Sequence, residues 1–218
     1  MFLYPSKPRQ IFDPESVINT LVNLGDIGNW IVQVKKNGCR AIPVADKSGI
    51  KIWGRDKSFL TVSNEYDWNV LRDIFSVPFT LDGELIGRKQ GETSNRLYLW
   101  DCPIIDGVNL IGRPYAERYQ ILHDDFVKVV SNSNLPLTAD TEWTWTKIGS
   151  IQVGVASCFE ATDWKRLLEK LIGKYKGSTG ELEGLVFKNQ NYNMNWSPSA
   201  TREIKEQLKY LIKYRRIN

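Results

Sequence analysis

Histidine is nearly absent from this 218-residue chain, with His123 the single one. That sets aside His-centred triads and His-rich zinc sites. Cysteine is also scarce: Cys39, Cys102 and Cys158 are odd in number and far apart. This excludes a disulfide framework and any CxxC metal site, and fits a reducing compartment. Long apolar runs are missing. Even residues 151–158 fall far short of the roughly 20 residues that a membrane span requires. Residues 1–10 lack the apolar stretch of a secretory signal, so a cytoplasmic (intracellular) location is expected. Neither sign of charge dominates: 29 Lys+Arg against 25 Asp+Glu leave +4, only mildly permissive of a polyanionic partner. There is no internal repeat and no long Gly/Ser or Pro linker. With 42% hydrophobic residues, the chain has the composition of a folded protein. Its length suits a single domain over residues 1–218, with a substantial core. Catalysis, if present, must run on Lys, Arg, Asp and Glu.

The chain alternates extended and helical signals from end to end. Asp13 as N-cap, Pro14 at the first helical position and Gly25 past the end predict a first helix. Residues 30–34, 40–45 and 49–53 are β-branched-rich runs bounded by Gly, Asn or Asp, and read as strands. Residues 64–75 read as a helix. Strands are expected at 79–86 and 96–102, separated by a turn-prone segment at 87–95. Apolar spacing predicts helices over 115–130 and 163–175, with strands at 151–158 and 182–188. The end, 199–216, starts helical and finishes extended. Helices packed outside a strand-rich core make an α+β architecture.

The sharpest local feature is Lys35-Lys36-Asn37-Gly38-Cys39-Arg40, between two predicted strands. Two cations around a Gly turn suit an anionic ligand, phosphate first. Taken alone, the hexapeptide reads as a solvated turn. Its company changes that reading. Downstream stand Trp53-Gly54-Arg55, Asp82-Gly83-Glu84, Trp100-Asp101, Glu183-Gly184-Leu185-Val186-Phe187-Lys188 and Lys213-Tyr214-Arg215. Each charged group lies in or beside an apolar run, where it is costly unless paired or used.

In these residues, in this order, the chain resembles the covalent nucleotidyltransferase superfamily: ATP-dependent DNA ligases, RNA ligases and mRNA capping enzymes. Lys35 to Arg40 looks like motif I, Arg55 the arginine of motif Ia, Asp82-Gly83-Glu84 motif III and Trp100-Asp101 motif IIIa. Glu183 to Lys188 matches motif IV in its ligase form, and Lys213-Tyr214-Arg215 resembles motif V. The stretch 101–122, with Arg113-Pro114 and Glu117-Arg118, is similar to the segment after motif IIIa in DNA ligases. One such motif is weak; six in order are strong. The implied fold is an antiparallel-sheet-rich, ATP-grasp-like adenylation domain with helices outside and no OB-fold.

The resemblance also implies the chemistry. A lysine is nucleophilic only when neutral, and its ordinary pKa is about 10.4; neighbouring cations and a dry pocket lower it. Lys35 would attack the α-phosphorus of ATP and become a lysyl–AMP, with Arg40, Lys188 and Lys213 supplying the surrounding positive field. The motif spacing selects Lys35 over its rival Lys36. Glu84 would hold the ribose, Trp100 would stack on the base and Gln33 would read the adenine edge. Arg55, Lys188, Lys213 and Arg215 would also contact the nucleotide, and Glu183 would bind Mg²⁺ (or Mn²⁺).

Nicked or broken nucleic acid is the expected partner, met by Arg40, Arg55, Arg202, Lys205 and Lys209. Lys205, Lys209 and Lys213 recur every four residues, a stripe on one helical face. A monomer is expected. Asn37 stands where Asp is commoner, and Arg215 where Lys is. The sequence stops three residues after motif V, which implies a domain standing alone, cut from a longer protein, or served by a separate OB-fold or accessory protein. The implied activity is an ATP-dependent polynucleotide ligase joining 5′-phosphate to 3′-hydroxyl, with DNA slightly favoured over RNA. A capping-type guanylyltransferase fits less well, because Glu183-Gly184 with Lys188 is not its usual motif IV. A non-catalytic nucleic-acid-binding module is the alternative of another class, and would form no covalent AMP adduct.

Overall fold

A computed structural model of the chain describes residues 9–25, 27–60, 66–86, 95–176, 182–193 and 211–215. Among these are thirteen strands and four α-helices. The strands are β1 (Arg9–Ile11), β2 (Trp30–Lys36), β3 (Gly38–Asp46), β4 (Gly49–Trp53), β5 (Phe79–Ile86), β6 (Arg96–Ile105), β7 (Val108–Asn109), β8 (Leu137–Ala139), β9 (Trp143–Ile148), β10 (Ile151–Ala156), β11 (Phe159–Glu160), β12 (Leu182–Asn189) and β13 (Leu211–Arg215). The helices are α1 (Pro14–Asn23), α2 (Leu71–Ile74), α3 (Tyr115–Asn132) and α4 (Trp164–Lys174). The architecture is the expected α+β type, rich in antiparallel sheet. Two pairings are parallel, β1 with β13 and β6 with β10.

The smaller sheet runs β1-β13-β12-β2-β11; the larger runs β4-β3-β5-β6-β10-β9-β8, with β7 on β6. Period-2 alternation sorts the smaller sheet into two faces. Trp30, Val32 and Val34 of β2 join Leu185 and Phe187 of β12 and Ile212 and Tyr214 of β13 in a core shared with α1 and α4. The residues between them face the other way. In the larger sheet, Leu81, Leu85, Leu97, Leu99, Val153 and Val155 pack with Leu122, Phe126 and Val130 of α3. A buried bidentate pair fixes α3 to this sheet: Arg118 Nε and Nη2 donate to Asp101 at 2.8 and 3.0 Å. The segment 101–122, read as ligase-like, thus has a structural duty of its own.

Asp13 caps α1 by accepting from the amides of Glu15 and Ser16, and Gly25 follows at φ +76°, as the sequence predicts. The helix predicted over 64–75 is mostly not one. Its described part is a 3-10 turn, Trp68–Val70, followed by the single α-turn Leu71–Ile74. The strand expected to 158 ends at Ala156. β1, β8 and β9 were not expected at all. Most of the turn at 87–95, and the helical part of 199–216, lie outside the described residues, as do Arg202, Lys205 and Lys209. No helix among the described residues is long and apolar enough to cross a membrane.

Candidate active site

Between β2 and β3 a single residue, Asn37, carries the chain from the smaller sheet to the larger. The crossover is tight. A Cβ on Gly38 would lie 2.2 Å from the carbonyl oxygen of Leu85, so only glycine fits against β5. Tyr98 ties the sheets together, its hydroxyl 3.1 Å from the carbonyl oxygens of both Val34 and Glu142. Between the sheets lies a cleft of about 250 Å³. Gln33, Lys35, Arg40, Arg55, Glu84, Trp100, Lys188 and Lys213 all line it.

Register explains the convergence. On the cleft face of the smaller sheet, Lys35, Gly184 and Arg215 form one cross-strand row, and Gln33, Val186 and Lys213 the next. The register shifts at Glu183, between Leu182 and Gly184, which aims this carboxylate at the same row. Gly184 is required there. Its φ is +150°, and a Cβ would meet the carbonyl oxygen of Tyr214 at 2.0 Å.

Glu183 is the hub of the anion-binding end. It accepts hydrogen bonds from Lys35, from Lys213 Nζ at 2.7 Å, and from Arg215 Nε and Nη2 at 2.9 and 2.6 Å. Burial alone would raise its pKa, but the Lys35 and Lys213 ammonium groups hold it down to about 2. Burial lowers the pKa of Lys213, assisted by the charges of Lys35 and Arg215 and opposed by Glu183. Lys35 Nζ also lies 4.0 Å from Glu84, whose carboxylate accepts from the Gly38 amide at 3.0 Å.

Lys36 points to the opposite face of β2. Its ammonium pairs with the fully buried Glu142, which also receives Lys174 and the Tyr175 hydroxyl, the latter at 2.8 and 2.9 Å. Among the described hydrogen bonds the Lys36 ammonium reaches neither Lys35 nor Glu183; only its backbone carbonyl oxygen accepts from Lys35 Nζ, at 3.3 Å.

The other end of the cleft is built differently. Arg40 grips the buried Asp82 with two donors, and the Trp100 indole N–H donates to the same carboxylate at 3.0 Å. The Arg40 guanidinium lies 5.1 Å from the centre of the Trp100 ring. Lys188 belongs to this end, not to the surroundings of Lys35 where the sequence reading put it. It pairs in register with Ile31, four residues along β2 from Lys35, a backbone separation of about 13 Å. Its ammonium donates to the Tyr115 hydroxyl at 3.1 Å and sits 4.2 Å from that ring's centre. Burial pushes its pKa down to about 8, against the pull of Asp101. Tyr115 also reaches the carbonyl oxygen of Trp100 at 2.7 Å and Gln33 Oε1 at 3.1 Å; Gln33 Nε2 donates to Cys158 Sγ at 3.2 Å.

Arg55 is exposed at the rim, in the turn after β4. Asp82, Tyr115 and Glu142 were not singled out in advance. Asp82 was visible as the first residue of its motif, whereas Tyr115 and Glu142 carried no signal of their own. The described residues include no cluster of three or more His, Cys, Asp or Glu side chains able to hold a metal by themselves.

No protein-family model matches the chain, and no curated protein is similar to it in sequence. Its fold is nevertheless that of ATP-dependent DNA ligase nucleotidyltransferase domains. It is similar to mycobacterial DNA ligase D complexed with ATP, with TM-score 0.55 and 15% identity over 97% of this chain and 60% of that one. A DNA ligase of the Lig E type gives TM-score 0.54 and 15% identity, covering 99% and 70%. The ATP-dependent DNA ligase of bacteriophage T7, also complexed with ATP, gives 0.53 and 15%, covering 89% and 66%. The chain therefore spans about 60% of the length of the first of these.

Proposed function

We propose that this chain is the nucleotidyltransferase unit of an ATP-dependent polynucleotide ligase, acting through a lysyl–AMP on Lys35. The observation that carries this reading is one amine, Lys35 Nζ, in a cleft with Lys213 and Arg215 gathered on the same carboxylate. An incoming triphosphate competes with Glu183 for these three cations. Phosphate oxygens suit Arg and Lys donors, and the released cations would stabilise charge building on the α-phosphoryl group. Lys35 then attacks the α-phosphorus; a P–N bond forms as pyrophosphate leaves. The lysine proton must go first. Glu183 accepts a hydrogen bond from that ammonium in the nucleotide-free cleft, and the proton passes to solvent water before the attack.

Glu84, beside the Gly38 amide, suits the ribose hydroxyls. Trp100, Gln33 and Lys188 form the apolar and polar walls for the base. Arg40, held by Asp82, is fixed beside Trp100 at this same end. Arg55, at the rim, would meet the polynucleotide; Arg202, Lys205 and Lys209, outside the described residues, are proposed as further contacts on the basic pattern of the sequence alone. A divalent cation fits as Mg²⁺ is usually held, by one or two carboxylates plus waters and phosphates. Glu183, with Glu84 nearby, would hold it, and the ion would neutralise phosphate charge.

In the second step AMP passes to a 5′-phosphate, and in the third a 3′-hydroxyl displaces it to seal the strand. DNA is favoured because the similar structures are DNA ligases. The test is incubation with each labelled nucleoside triphosphate and Mg²⁺, followed by nicked DNA and nicked RNA. A covalent AMP adduct that survives denaturation and is discharged on nicked DNA supports the proposal. Discharge only on RNA changes the substrate. No adduct with any triphosphate, and no sealing of pre-adenylylated ends, overturns the enzymatic reading.

A further inference from the structure

We infer that Tyr115 fixes which way round the Gln33 amide sits, and so makes the cleft select a 6-aminopurine over a 6-oxopurine. Tyr115 does not itself line the cleft and acts through Gln33, which does. The inference rests on the ligase reading for the nucleotide and for the class of base chosen. The fixed amide is read from the hydrogen bonds alone.

Tyr115 and Gln33 are both buried. A tyrosine hydroxyl has one proton to give and two lone pairs to accept with. Three neighbours claim them. The Trp100 carbonyl oxygen, 2.7 Å away, can only accept, so the proton goes there. Lys188 Nζ, at 3.1 Å, donates into one lone pair. Gln33, also at 3.1 Å, is left with the other lone pair. Meeting it with Oε1 would set oxygen against oxygen with no hydrogen between them. The two ends of a glutamine amide are told apart by their partners, and this count puts Nε2 on Tyr115. Turned over in this way, the amide presents Oε1 to Cys158 Sγ, which lies 3.2 Å from that end. Burial pushes the Cys158 thiol up to about 11, so at neutral pH it keeps a proton to donate.

The consequence is a fixed order of donor and acceptor beside Trp100. Beyond the groups spent on Tyr115 and Cys158, the amide keeps one N–H and one oxygen lone pair for a base edge. Adenine carries an amino donor at position 6 beside the N1 acceptor. Hypoxanthine and guanine carry the reverse, a carbonyl oxygen beside an N1–H. A glutamine that turns over freely pairs with either. A glutamine held one way pairs with one and leaves the other facing like groups, which a buried site rejects. Turning it back would leave buried polar groups unpaired, a penalty equivalent to about 5- to 150-fold in affinity.

The test is equilibrium binding of the α,β-methylene forms of ATP and ITP, from which AMP cannot be transferred, to the whole chain. These bases differ at position 6 and N1 but share the absence of guanine's 2-amino group. The unsubstituted chain should prefer the adenine compound by about 5- to 150-fold. Tyr115→Phe keeps the ring and removes the oxygen, so the preference should collapse toward one, through tighter binding of the inosine compound. Cys158→Ala removes the other tether and should lower the preference part of the way. In a Gln33→Met background, Tyr115→Phe should change the preference no further. A merely structural role for Tyr115 would weaken both compounds equally and leave their ratio as it was. An unchanged ratio in Tyr115→Phe would overturn the inference; if that variant does not melt as a folded protein, an unchanged ratio in Cys158→Ala would do so. No preference for the adenine compound in the unsubstituted chain would also overturn it. If ATP itself binds but leaves no covalent AMP, the ligase reading fails while the ratio still decides the role of Tyr115.

Discussion

The sharpest separation between neighbouring lysines concerns Lys36, one residue from the proposed nucleophile. Its ammonium belongs to a buried group with Glu142, Lys174 and Tyr175, in which the Glu142 side chain is 0% exposed. Replacing Lys36 by Ala leaves that carboxylate short of its most buried partner. Breaking a buried ion pair costs roughly 3–5 kcal/mol. Lys174 and the Tyr175 hydroxyl remain on Glu142, so the expected loss is about 2–4 kcal/mol. With a urea slope of about 3 kcal/mol/M for a chain of this size, the unfolding midpoint should drop by about 1 M. The double variant Lys36→Met with Glu142→Gln removes both charges and should recover much of the loss, giving a coupling energy above about 1 kcal/mol. Throughout, the folded fraction should still accept AMP. An unchanged midpoint for Lys36→Ala would refute the buried-pair reasoning. A folded Lys36→Ala protein that takes no AMP, while Lys35→Ala does, would refute the division of labour between the two faces of β2.

Three other expectations follow from the same geometry. The lowered pKa of Glu183 contributes stability that is present above its unfolded value of 4.5 and is lost as the pH falls toward 2; at 1.36 kcal/mol per unit this is at most about 3 kcal/mol. Glu183→Gln should flatten that acid limb in pH-dependent urea unfolding; an identical limb would place the stabilisation elsewhere. Lys188, lowered to about 8, costs stability below that pH, a cost relieved between 8 and its unfolded 10.5. Lys188→Met should therefore be about 1–3 kcal/mol more stable at pH 7, with the gap narrowing above pH 8, yet poorer in ATP affinity. A destabilised Lys188→Met, or a gap independent of pH, would contradict this. Gly184→Ala, with its Cβ against the Tyr214 carbonyl, should unfold at least about 3 kcal/mol more easily and lose AMP transfer; normal melting would show that the strand pairing there is looser than described.

The apolar runs that form β2, β5 and β12 were legible in the sequence, and so was α1, because Asp13, Pro14 and Gly25 each have a local physical duty. The cleft residues were legible only through the resemblance of their motifs, in order, to those of the nucleotidyltransferases; the register that gathers them was not. What was not legible depends on pairing between distant segments. β1 and β8 are three residues long, too short for any period to show. The distance between Lys188 and Lys35 follows from register across β2 and β12, which spacing along one strand does not reveal. Glu142 drew no attention because its role comes from Lys36, 106 residues away. β9 is different: its Trp-Thr-Trp-Thr alternation was readable and was missed.

The central claim is that a single amine on the cleft face of β2 carries the nucleotide. Peptide mapping by mass spectrometry after incubation with ATP and Mg²⁺ tests it directly. One AMP, joined through a phosphoramidate to Lys35 and absent in Lys35→Ala, is the predicted result. AMP on Lys36, Lys188 or Lys213 in its place would contradict the account.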